Sequence, residues 1–404
     1  MSTSLLYHSF GIRGYDYCRT SYEQGTTIFT IEQKRETLRC SRCGSADVQR
    51  RGEVVRRYQH LPIGPKPVFI ELAIARVACP HCGVIRQVRV PFADRQRTYT
   101  RSFARYVLEL RSGMTIQDVA RLLGVSGWMV RDIEKRHLEK HYARPKLKHT
   151  TRIAIDEISI GTGHRYLTVV MDLQSRRVLY VGAGKGADAL KPFWRSLKAA
   201  HAWIDAVAID MSPAYIQAVS DNLPLATLVF DRFHLVKLFN ERLSNFRREL
   251  YREAIDGLHK DVLKGTRWLL LKNPEHLDEK RNEHQRLNEA LQLNAPLATA
   301  YYLKEDLRQL WEQPTQRAAE RFLNDWCSRA RASGIRFLQT FAKTLQGHRN
   351  GILAWYDAPI STGPLEGLNN KIKTLQRQAY GFRDQDYFRL KIYALHKTRN
   401  VLIG

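Results

Sequence analysis

The sequence predicts a multidomain α+β protein, and three observations lead to that prediction. Two Cys-x-x-Cys motifs lie in the first quarter of the chain, segments with helical periodicity follow them, and a series of short β-rich segments begins after residue 150. The chain has 404 residues, enough for two to four domains at about 100–200 residues each. Hydrophobic residues make up 44% of it, so we expect a sizeable core rather than a disordered chain.

The charge of the chain favours a nucleic-acid partner. Sixty-five Lys and Arg residues stand against 40 Asp and Glu, which gives a formal net charge of +25. So many positive charges repel one another unless an anionic partner binds. Nucleic acid is the usual partner, because Lys and Arg displace the counterions that are condensed on its phosphates. Residues 1–150 hold 27 basic and 13 acidic residues, which indicates a dedicated binding region at the N-terminus. A basic protein of the ribosome or of a membrane surface is the alternative.

Neither a membrane span nor a secretion signal is predicted. No apolar run approaches the roughly 18 residues of a membrane-spanning helix. The first residues lack a charged region followed by a long apolar stretch, which argues against a signal peptide. The chain has six cysteines, four paired by spacing and two scattered. This distribution favours a metal site in a protein of the reducing cytoplasm over a disulfide framework.

The two Cys-x-x-Cys motifs predict a zinc-binding module over residues 1–95. Two such motifs supply four thiolates, which Zn²⁺ binds tetrahedrally, and a glycine after each helps the backbone turn. The gap of 35 residues between them leaves room for a hairpin with the turn "LPIGPKP" and a strand in "VFIELAIARVAC". The predicted zinc ligands are Cys40, Cys43, Cys79 and Cys82.

Two other interpretations of these cysteines stay open. They could be reduced cysteines that merely occupy two turns. A redox pair is less favoured, because two motifs are present and neither has a thioredoxin-like pattern around it.

Residues 96–145 are predicted to form a helix–turn–helix domain. The first helix shows apolar residues at helical spacing, and Thr115 with Asp118 forms a capping-box pattern that opens the second helix. Gly124 is a turn residue, and Ser126 caps a third helix. Helix, short glycine-containing turn, helix is the order of this motif.

The third of these helices is predicted to enter the DNA major groove. Ser126, Trp128 and Arg131 lie at its leading end and are the predicted DNA contacts. An ordinary three-helix bundle packed on a neighbouring domain is the alternative. Residues 144–150 are basic and contain proline, so we interpret them as a linker.

Residues 150–240 are predicted to form the first part of an RNase H-like catalytic core. Three consecutive short strands indicate an antiparallel meander. A helix, the strand "DAVAID", a second helix and the strand "LATLVFD" follow. This order of elements is that of an RNase H-like domain, in which the first and fourth strands lie side by side.

That order places two acids near each other. Asp156 lies on the first strand and Asp210 ends the fourth. Two close carboxylates repel each other unless cations neutralise them, and Mg²⁺ is held by a few carboxylates together with substrate phosphate. Taken alone, either aspartate could be a solvated strand end or a helix cap, so the spacing by itself does not identify a metal site.

An all-α insertion domain is predicted over residues 241–355. The stretch between Asp231 and Glu366 has 134 residues, more than an RNase H-like core needs, and its segments have helical periodicity. We interpret its tryptophans as core or partner-helix contacts rather than base-stacking residues. These tryptophans are Trp268, Trp311, Trp326 and Trp355. Residues 356–404 are predicted to be the C-terminal helical part of the core.

Glu366 is a lone acid in a basic stretch. Between Asp357 and Asp384 the chain has no other Asp or Glu. Thr362 is a plausible helix cap and Pro364 fits a first turn, so Glu366 projects from the start of a helix. A first-turn glutamate favoured by the helix dipole is the alternative. The residues of this helix predicted to contact DNA are Asn369, Asn370, Lys371, Lys373 and Arg377.

Four motifs together resemble the DDE transposases of bacterial insertion sequences, and the closest match is the IS-L-three family. They are "IDEISI", "AIDMSPAY", "DRFHLVK" and "STGPLEGLNNKIKTLQRQAYGFRD". The similarity runs over essentially the whole chain, and members of the family pair a zinc module with a helix–turn–helix. The resemblance implies Asp156, Asp210 and Glu366 as the Mg²⁺ (or Mn²⁺) triad. It also implies Asp231 and His234 as an auxiliary D-x-x-H motif.

The function implied is that of a cut-and-paste transposase that works on double-stranded DNA. The zinc module and helix–turn–helix would recognise terminal inverted repeats. Two Mg²⁺ ions about 3.5–4 Å apart would activate water and then a 3′-OH for attack on phosphodiesters. Because two transposon ends and a target must meet, a homodimer or larger assembly is expected, acting at the bacterial nucleoid in the cytoplasm.

Two alternatives to this function remain. One is a zinc and helix–turn–helix DNA-binding regulator whose RNase H-like body is inactive. The other is a metal-dependent DNA nuclease that cleaves without strand transfer.

Overall fold

The computed structural model describes residues 5–161, 163–254, 260, 262–264 and 266–396. These residues fall into two compact units. The first unit comprises residues 5–143 and 374–390, and the second comprises the described residues of 144–373 together with 391–396. In the described part of the chain, no helix is both long enough and apolar enough to cross a membrane.

The first unit begins with a short helix and a five-stranded sheet. Its strands run in the order β1-β2-β4-β3, with β5 paired to β4; β2 and β4 are parallel and the other pairs antiparallel. Along β4, alternate residues are buried, as expected for a strand with one face on the core. The elements are α1 (Leu5–Phe10), β1 (Tyr15–Glu23), β2 (Thr26–Gln33), β3 (Gln49–Ile63), β4 (Lys66–Ala78) and β5 (Ile85–Gln87).

The hairpin predicted between the two cysteine motifs is confirmed. β3 and β4 are joined by a turn at Gly64 and Pro65. Gly64 has a φ of +59°, a left-handed conformation that favours glycine. The strand then leads directly into the second cysteine motif.

The three helices of the predicted helix–turn–helix are confirmed with their caps. They are α2 (Arg101–Arg111), α3 (Ile116–Leu123) and α4 (Gly127–Tyr142). The Thr115 side chain accepts a hydrogen bond from the backbone N–H of Asp118, and the Ser126 side chain accepts one from that of Met129. Gly124 ends α3 with a φ of +63°. These local bonds satisfy helix N–H groups that otherwise lack partners.

A C-terminal segment completes the first unit. Glu134 of α4 accepts hydrogen bonds of 2.7 Å from both Arg111 Nε and the Tyr387 hydroxyl. Lys135 Nζ donates to Asp384 Oδ2 at 2.8 Å. Arg111 and Glu134 are buried, so their charges compensate each other out of water. Nothing in the local sequence pattern predicts this contact.

The second unit contains the predicted RNase H-like sheet. Its order is β10-β9-β6-β7-β8, with β6, β7 and β8 antiparallel and β9 parallel to both β6 and β10. The first and fourth strands of the domain are therefore neighbours, as predicted. The strands are β6 (Arg152–Gly161), β7 (Arg165–Asp172), β8 (Val178–Ala183), β9 (Ala206–Ile209) and β10 (Thr227–Phe230).

Helices cover this sheet and fill the predicted insertion. Two helices alternate with the later strands, a long helix follows β10, and further helices precede the segment with Glu366. They are α5 (Ala187–Ala199), α6 (Pro213–Asn222), α7 (Arg232–Glu253), α8 (Arg267–Leu271), α9 (Glu283–Leu293), α10 (Ala295–Arg308), α11 (Gln316–Ala332), α12 (Arg336–Gly347) and α13 (Arg349–Leu353). Last come α14 (Gly363–Gln378) and α15 (Gln385–Ala394), each contributing residues to both units.

The tryptophans of the insertion differ in burial. Trp326 is fully buried and its ring lies 6.1 Å from that of Phe239, and Trp311 is also buried, so both are core residues as predicted. Trp355 is half-buried. Trp268 is 65% exposed with the Arg267 guanidinium 4.8 Å from its ring, so it is not a core residue, and its contact with a partner helix stays a prediction.

Candidate metal centres and nucleic-acid interface

The four predicted zinc ligands form one cluster. Cys40 Sγ lies 3.6 Å from Cys82 Sγ, Cys43 Sγ lies 3.6 Å from Cys79 Sγ, and all four sulfurs lie within 4.8 Å of one another. Zn–S bonds of about 2.3 Å in a tetrahedron separate the sulfurs by roughly 3.8 Å. The donor type, number and spacing therefore fit a structural Zn²⁺.

Both cysteine motifs fold into the same turn. The N–H of Gly44 donates to the carbonyl of Cys40, and the N–H of Gly83 donates to that of Cys79, each at 2.9 Å. Both glycines have positive φ, at +78° and +68°. Backbone N–H groups of Cys43 and Arg42 lower the pKa of the Cys40 thiol to about 6, which favours the metal-binding thiolate.

The leading end of α4 presents its predicted DNA contacts outward. Trp128 is 63% exposed and Arg131 is partly exposed. The Ser126 hydroxyl accepts the cap bond from Met129, so it both starts the helix and lies at its exposed end. An exposed tryptophan beside an arginine at a helix start is compatible with entry into a DNA groove. The three contacts remain predictions.

The sheet brings the first two acids of the predicted triad towards each other. In the parallel pairing of β6 with β9, Ala154 lies opposite Ala208. Asp156 and Asp210 each follow two residues later; Asp156 continues along β6, paired with Val169 of β7, and Asp210 comes directly after the end of β9. Burial raises the pKa of Asp156 to about 6; His234 opposes the rise and the Asp210 carboxylate adds to it. A cation would relieve this cost.

Helix α14 reaches the first acid through Asn369. Asn369 Nδ2 donates to Asp156 Oδ2 at 2.8 Å, while Asp156 Oδ1 accepts from the backbone N–H of Glu157 at 2.8 Å. Glu366 lies three residues before Asn369, which is one helical turn away, and is partly exposed. The strand with the first acid and the helix with the third are thus joined directly.

Asn369 also holds an unsatisfied acceptor. The residue is only 7% exposed, and its Oδ1 is buried without a hydrogen-bond partner among the described residues. Amide and carboxylate oxygens are the ligand types that Mg²⁺ accepts. The residues present therefore fit a hard divalent cation by donor type.

The auxiliary pair Asp231 and His234 contacts the start of α14. Asp231 Oδ1 accepts from the backbone N–H of Thr362 at 3.2 Å, and its Oδ2 lies 3.1 Å from His234 Nδ1. Burial raises the pKa of Asp231, but hydrogen bonds from His234 and Thr362 outweigh it and lower the pKa overall. The bond to Asp231 raises the pKa of His234 against the effect of burial, and the charges of Asp156 and Asp210 add to the increase.

The structure does not gather all three acids into a closed site. Across the described ranges, the cysteine cluster is the one group of three or more metal-binding side chains whose ligand atoms all lie within 4.8 Å. The oxygens of Asp156, Asp210 and Glu366 are therefore spread more widely. Since Mg²⁺ usually keeps several waters and takes substrate phosphate oxygens, such spacing is compatible with a site completed by DNA.

The predicted DNA contacts on α14 divide into two groups. Asn370, Lys371, Lys373 and Arg377 are exposed, whereas Asn369 turns inward to Asp156. A signal for this was present in the sequence. Asn369 lies four residues after Leu365 and three before Ile372, both fully buried, so it belongs to the apolar face of the helix. The backbone role of Thr362, in contrast, has no sequence signal.

Three protein-family models match the chain. One described as "Transposase" matches residues 153–392. A second, "Helix-turn-helix domain of transposase family ISL3", matches residues 88–138, and a third, "zinc-finger of transposase IS204/IS1001/IS1096/IS1165", matches residues 36–82. The three matches follow the same order along the chain as the zinc cluster, the three-helix segment and the acid-bearing sheet.

Two relatives match almost the full length. The chain is 34% identical to the transposase for insertion sequence element IS1001 of Bordetella parapertussis, over 95% of this chain and 96% of that protein. It is 31% identical to the transposase for insertion sequence element IS1557 of Mycobacterium tuberculosis, over 91% and 87%. Among solved structures, it is similar to the Drosophila P element transposase strand transfer complex. That match has a TM-score of 0.34 and 11% identity over 66% of this chain and 81% of that one.

The full-length relatives and the three family matches agree with the zinc ribbon, the helix–turn–helix and the RNase H-like sheet. The chain therefore belongs to the ISL3 (IS-L-three) family of transposases.

Proposed function

We propose that this chain is a DDE transposase that binds the terminal inverted repeats of an insertion sequence, cleaves phosphodiester bonds there and joins the 3′-OH ends to target DNA. Asp156, Asp210 and Glu366 are the proposed ligands of two Mg²⁺ (or Mn²⁺) ions. The observation that carries the proposal is the hydrogen bond from Asn369 to Asp156, which brings the Glu366 helix onto the strand of the first acid.

The acidic residues and Asn369 have different roles in the proposed reaction. When bound, the two cations would activate the attacking oxygen and stabilise the leaving oxygen. Asp156 and Asp210 hold negative charge at the sheet edge, and Asn369 fixes the rotamer of Asp156. Glu366 on α14 would supply the third protein ligand, and DNA phosphate oxygens would complete the set of ligands. No covalent intermediate between protein and DNA is needed.

Asp231 and His234 act as positioning residues in this proposal. Asp231 is 1% exposed and accepts the N–H of Thr362, one residue before the first residue of α14. It thereby fixes the start of the helix that carries Glu366. His234, close to Asp156 and Asp210, offsets part of their repulsion before cations bind.

DNA binding is assigned to two sets of residues. Ser126, Trp128 and Arg131 at the start of α4 would read the major groove of the terminal repeat. Lys371, Lys373 and Arg377 on α14, with Asn370, would hold backbone phosphates near the reacting bond. We further propose a homodimer, because transposition requires both transposon ends to be brought together.

Asp156→Asn tests the proposal. It removes a ligand charge while keeping the side-chain shape and an oxygen near Asn369. We expect loss of excision and strand transfer with unchanged binding to terminal DNA, in gel-shift and cleavage assays with Mg²⁺. Persistent excision by this variant would refute the metal site. Pre-cleaved ends given with a target plasmid separate a transposase from a nuclease, since only the former yields joined products.

A further inference from the structure

We propose that the zinc module contains a binding site for a backbone phosphate of DNA. Four arginines around a cavity beside the first cysteine motif form this site. The inference rests on the proposed function, because the ligand is the DNA bound by the transposase. It adds a second, sequence-independent contact surface to the helix–turn–helix of the same unit.

The cavity has a volume of about 480 Å³ and is open to solvent. Its four basic side chains are Arg13, Arg39, Arg42 and Arg89, and no Asp or Glu lines it. They come from three separate parts of the chain: the segment before β1, the first cysteine motif and the segment after β5. All four residues are exposed, so the fold brings guanidinium groups from three chain segments around one cavity.

Two of the arginines are fixed and two are available. The Arg39 guanidinium donates to the carbonyls of Glu36 and Leu38 at 2.7 and 2.8 Å, and Arg13 donates to the Tyr7 hydroxyl at 3.1 Å. The side chains of Arg42 and Arg89 make no hydrogen bond or ion pair with any residue that the structure describes. An anion site needs guanidinium groups that are free to bind the anion, and neighbouring arginines that are already held in place add positive charge at a fixed position.

Two buried residues also line the cavity. Tyr15 and Val88 are 7% and 5% exposed, so the exposed arginines surround a part of the module that is fixed by its core.

The competing explanation is that the arginines merely balance the zinc centre. A zinc ion with four thiolates has a formal charge of about −2, whereas four arginines supply a charge of about +4. The arginines therefore leave a net positive charge of about +2 after the zinc centre is balanced. Asp16, which follows the lining residue Tyr15 in the chain, is already paired with Lys34 at 3.3 Å.

The experiment compares the salt dependence of DNA binding. Each phosphate contact contributes about 0.9 to the slope of log Kobs against log salt concentration. In the full-length protein, the double variant Arg42→Ala/Arg89→Ala should lower that slope by roughly 1–2 on a terminal-repeat duplex and on an unrelated duplex alike. Zinc content should be unchanged.

The matched control is Arg76→Ala/Arg86→Ala. These exposed arginines belong to the same module, on β4 and β5, and do not line the cavity. The control variant loses the same charge as the cavity variant. An equal change of slope in the two variants would overturn the proposal, and so would an unchanged slope in the cavity variant. Loss of zinc from the cavity variant would also overturn it, because the arginines would then serve the metal. None of these outcomes depends on cleavage, so a failure of the catalytic proposal would be seen separately.

Discussion

Asn369 Nδ2 donates a 2.8 Å hydrogen bond to Oδ2 of Asp156, across 213 residues of sequence. One partner lies on the central strand of an RNase H-like sheet and the other on the helix of Glu366. The bond fixes both the rotamer of the first acid and the rotation of the helix that presents the third. Catalysis should therefore depend on a residue that its position on the basic helix alone would assign to DNA.

Asn369→Ala should reduce cleavage by roughly 10–100-fold, because a hydrogen bond to a charged group contributes about 1.5–3 kcal/mol. Binding to terminal DNA should stay near the level of the unaltered protein. The control is Asn370→Ala at the adjacent exposed position, which should weaken DNA binding more than the cleavage rate of bound DNA. Equal losses of binding in both variants would place Asn369 at the DNA surface instead.

Asp231→Ala should slow cleavage and lower stability by about 1–3 kcal/mol, since it leaves the buried N–H of Thr362 without an acceptor. Thr362→Ser is the matched control. It keeps both the backbone N–H that donates to Asp231 and the hydroxyl 3.5 Å from His234 Nδ1, so it should retain most activity. Cleavage rate and thermal unfolding are the measurements, and a Thr362→Ser defect as large as that of Asp231→Ala would contradict the positioning role.

Cys40→Ser should release zinc and unfold the zinc module while the RNase H-like unit stays folded. A structural zinc site supplies folding free energy, so a missing thiolate removes much of the module's stability. Cys18→Ser serves as the control, because Cys18 is exposed and outside the cluster. Metal analysis measures the bound zinc, and limited proteolysis shows which part of the protein is unfolded. Purified unaltered protein without zinc would disprove the assignment.

The first unit should lose stability as the pH falls from about 6.5 towards 4. Burial lowers the pKa of His60 to about 4, and its ring lies 4.5 Å from that of Phe10. In the unfolded chain this histidine binds a proton at its ordinary pKa of 6.5, so stability is complete above that pH and declines as the pH drops to the folded pKa. The loss should approach about 3 kcal/mol at the acid end.

His60→Gln is the comparison for this pH effect. Glutamine does not titrate and can still bond with Thr100, whose Oγ1 lies 2.8 Å from His60 Nδ1. Denaturant unfolding of both proteins between pH 4 and 7 should give curves that converge at low pH. Parallel curves would mean that other groups produce the acid sensitivity.

Trp326→Ala should destabilise the second unit by about 3–5 kcal/mol, whereas Trp268→Ala should change its stability by less than about 0.5 kcal/mol. Trp326 is fully buried and its Nε1 donates to the carbonyl of Leu303 at 2.8 Å, while Trp268 is mostly exposed. Thermal unfolding followed by far-UV circular dichroism distinguishes the two. Similar losses would mean that Trp268 packs against the protein in solution.

Much of the fold followed from short stretches of sequence. The zinc turns, the caps at Thr115 and Ser126 and the strand order of the RNase H-like sheet were all predicted. Each depends on residues within a few positions of one another, or on the alternation of strands and helices along the chain. The resemblance to transposases then assigned the three acids, which the structure does not yet bring within a cation's reach.

The sequence by itself determined the cysteine cluster and the helix–turn–helix, because spacing and periodicity act locally. The alternation of strands and helices indicated the order of the sheet, and the resemblance of four motifs indicated the family. Only the tertiary structure decided that Asn369 faces Asp156, that Asp231 holds the start of the Glu366 helix, that Trp268 is exposed and that four arginines line one cavity. These features depend on how each helix is rotated and on which distant segments meet. Packing of the whole chain sets both, and local patterns carry little information about either.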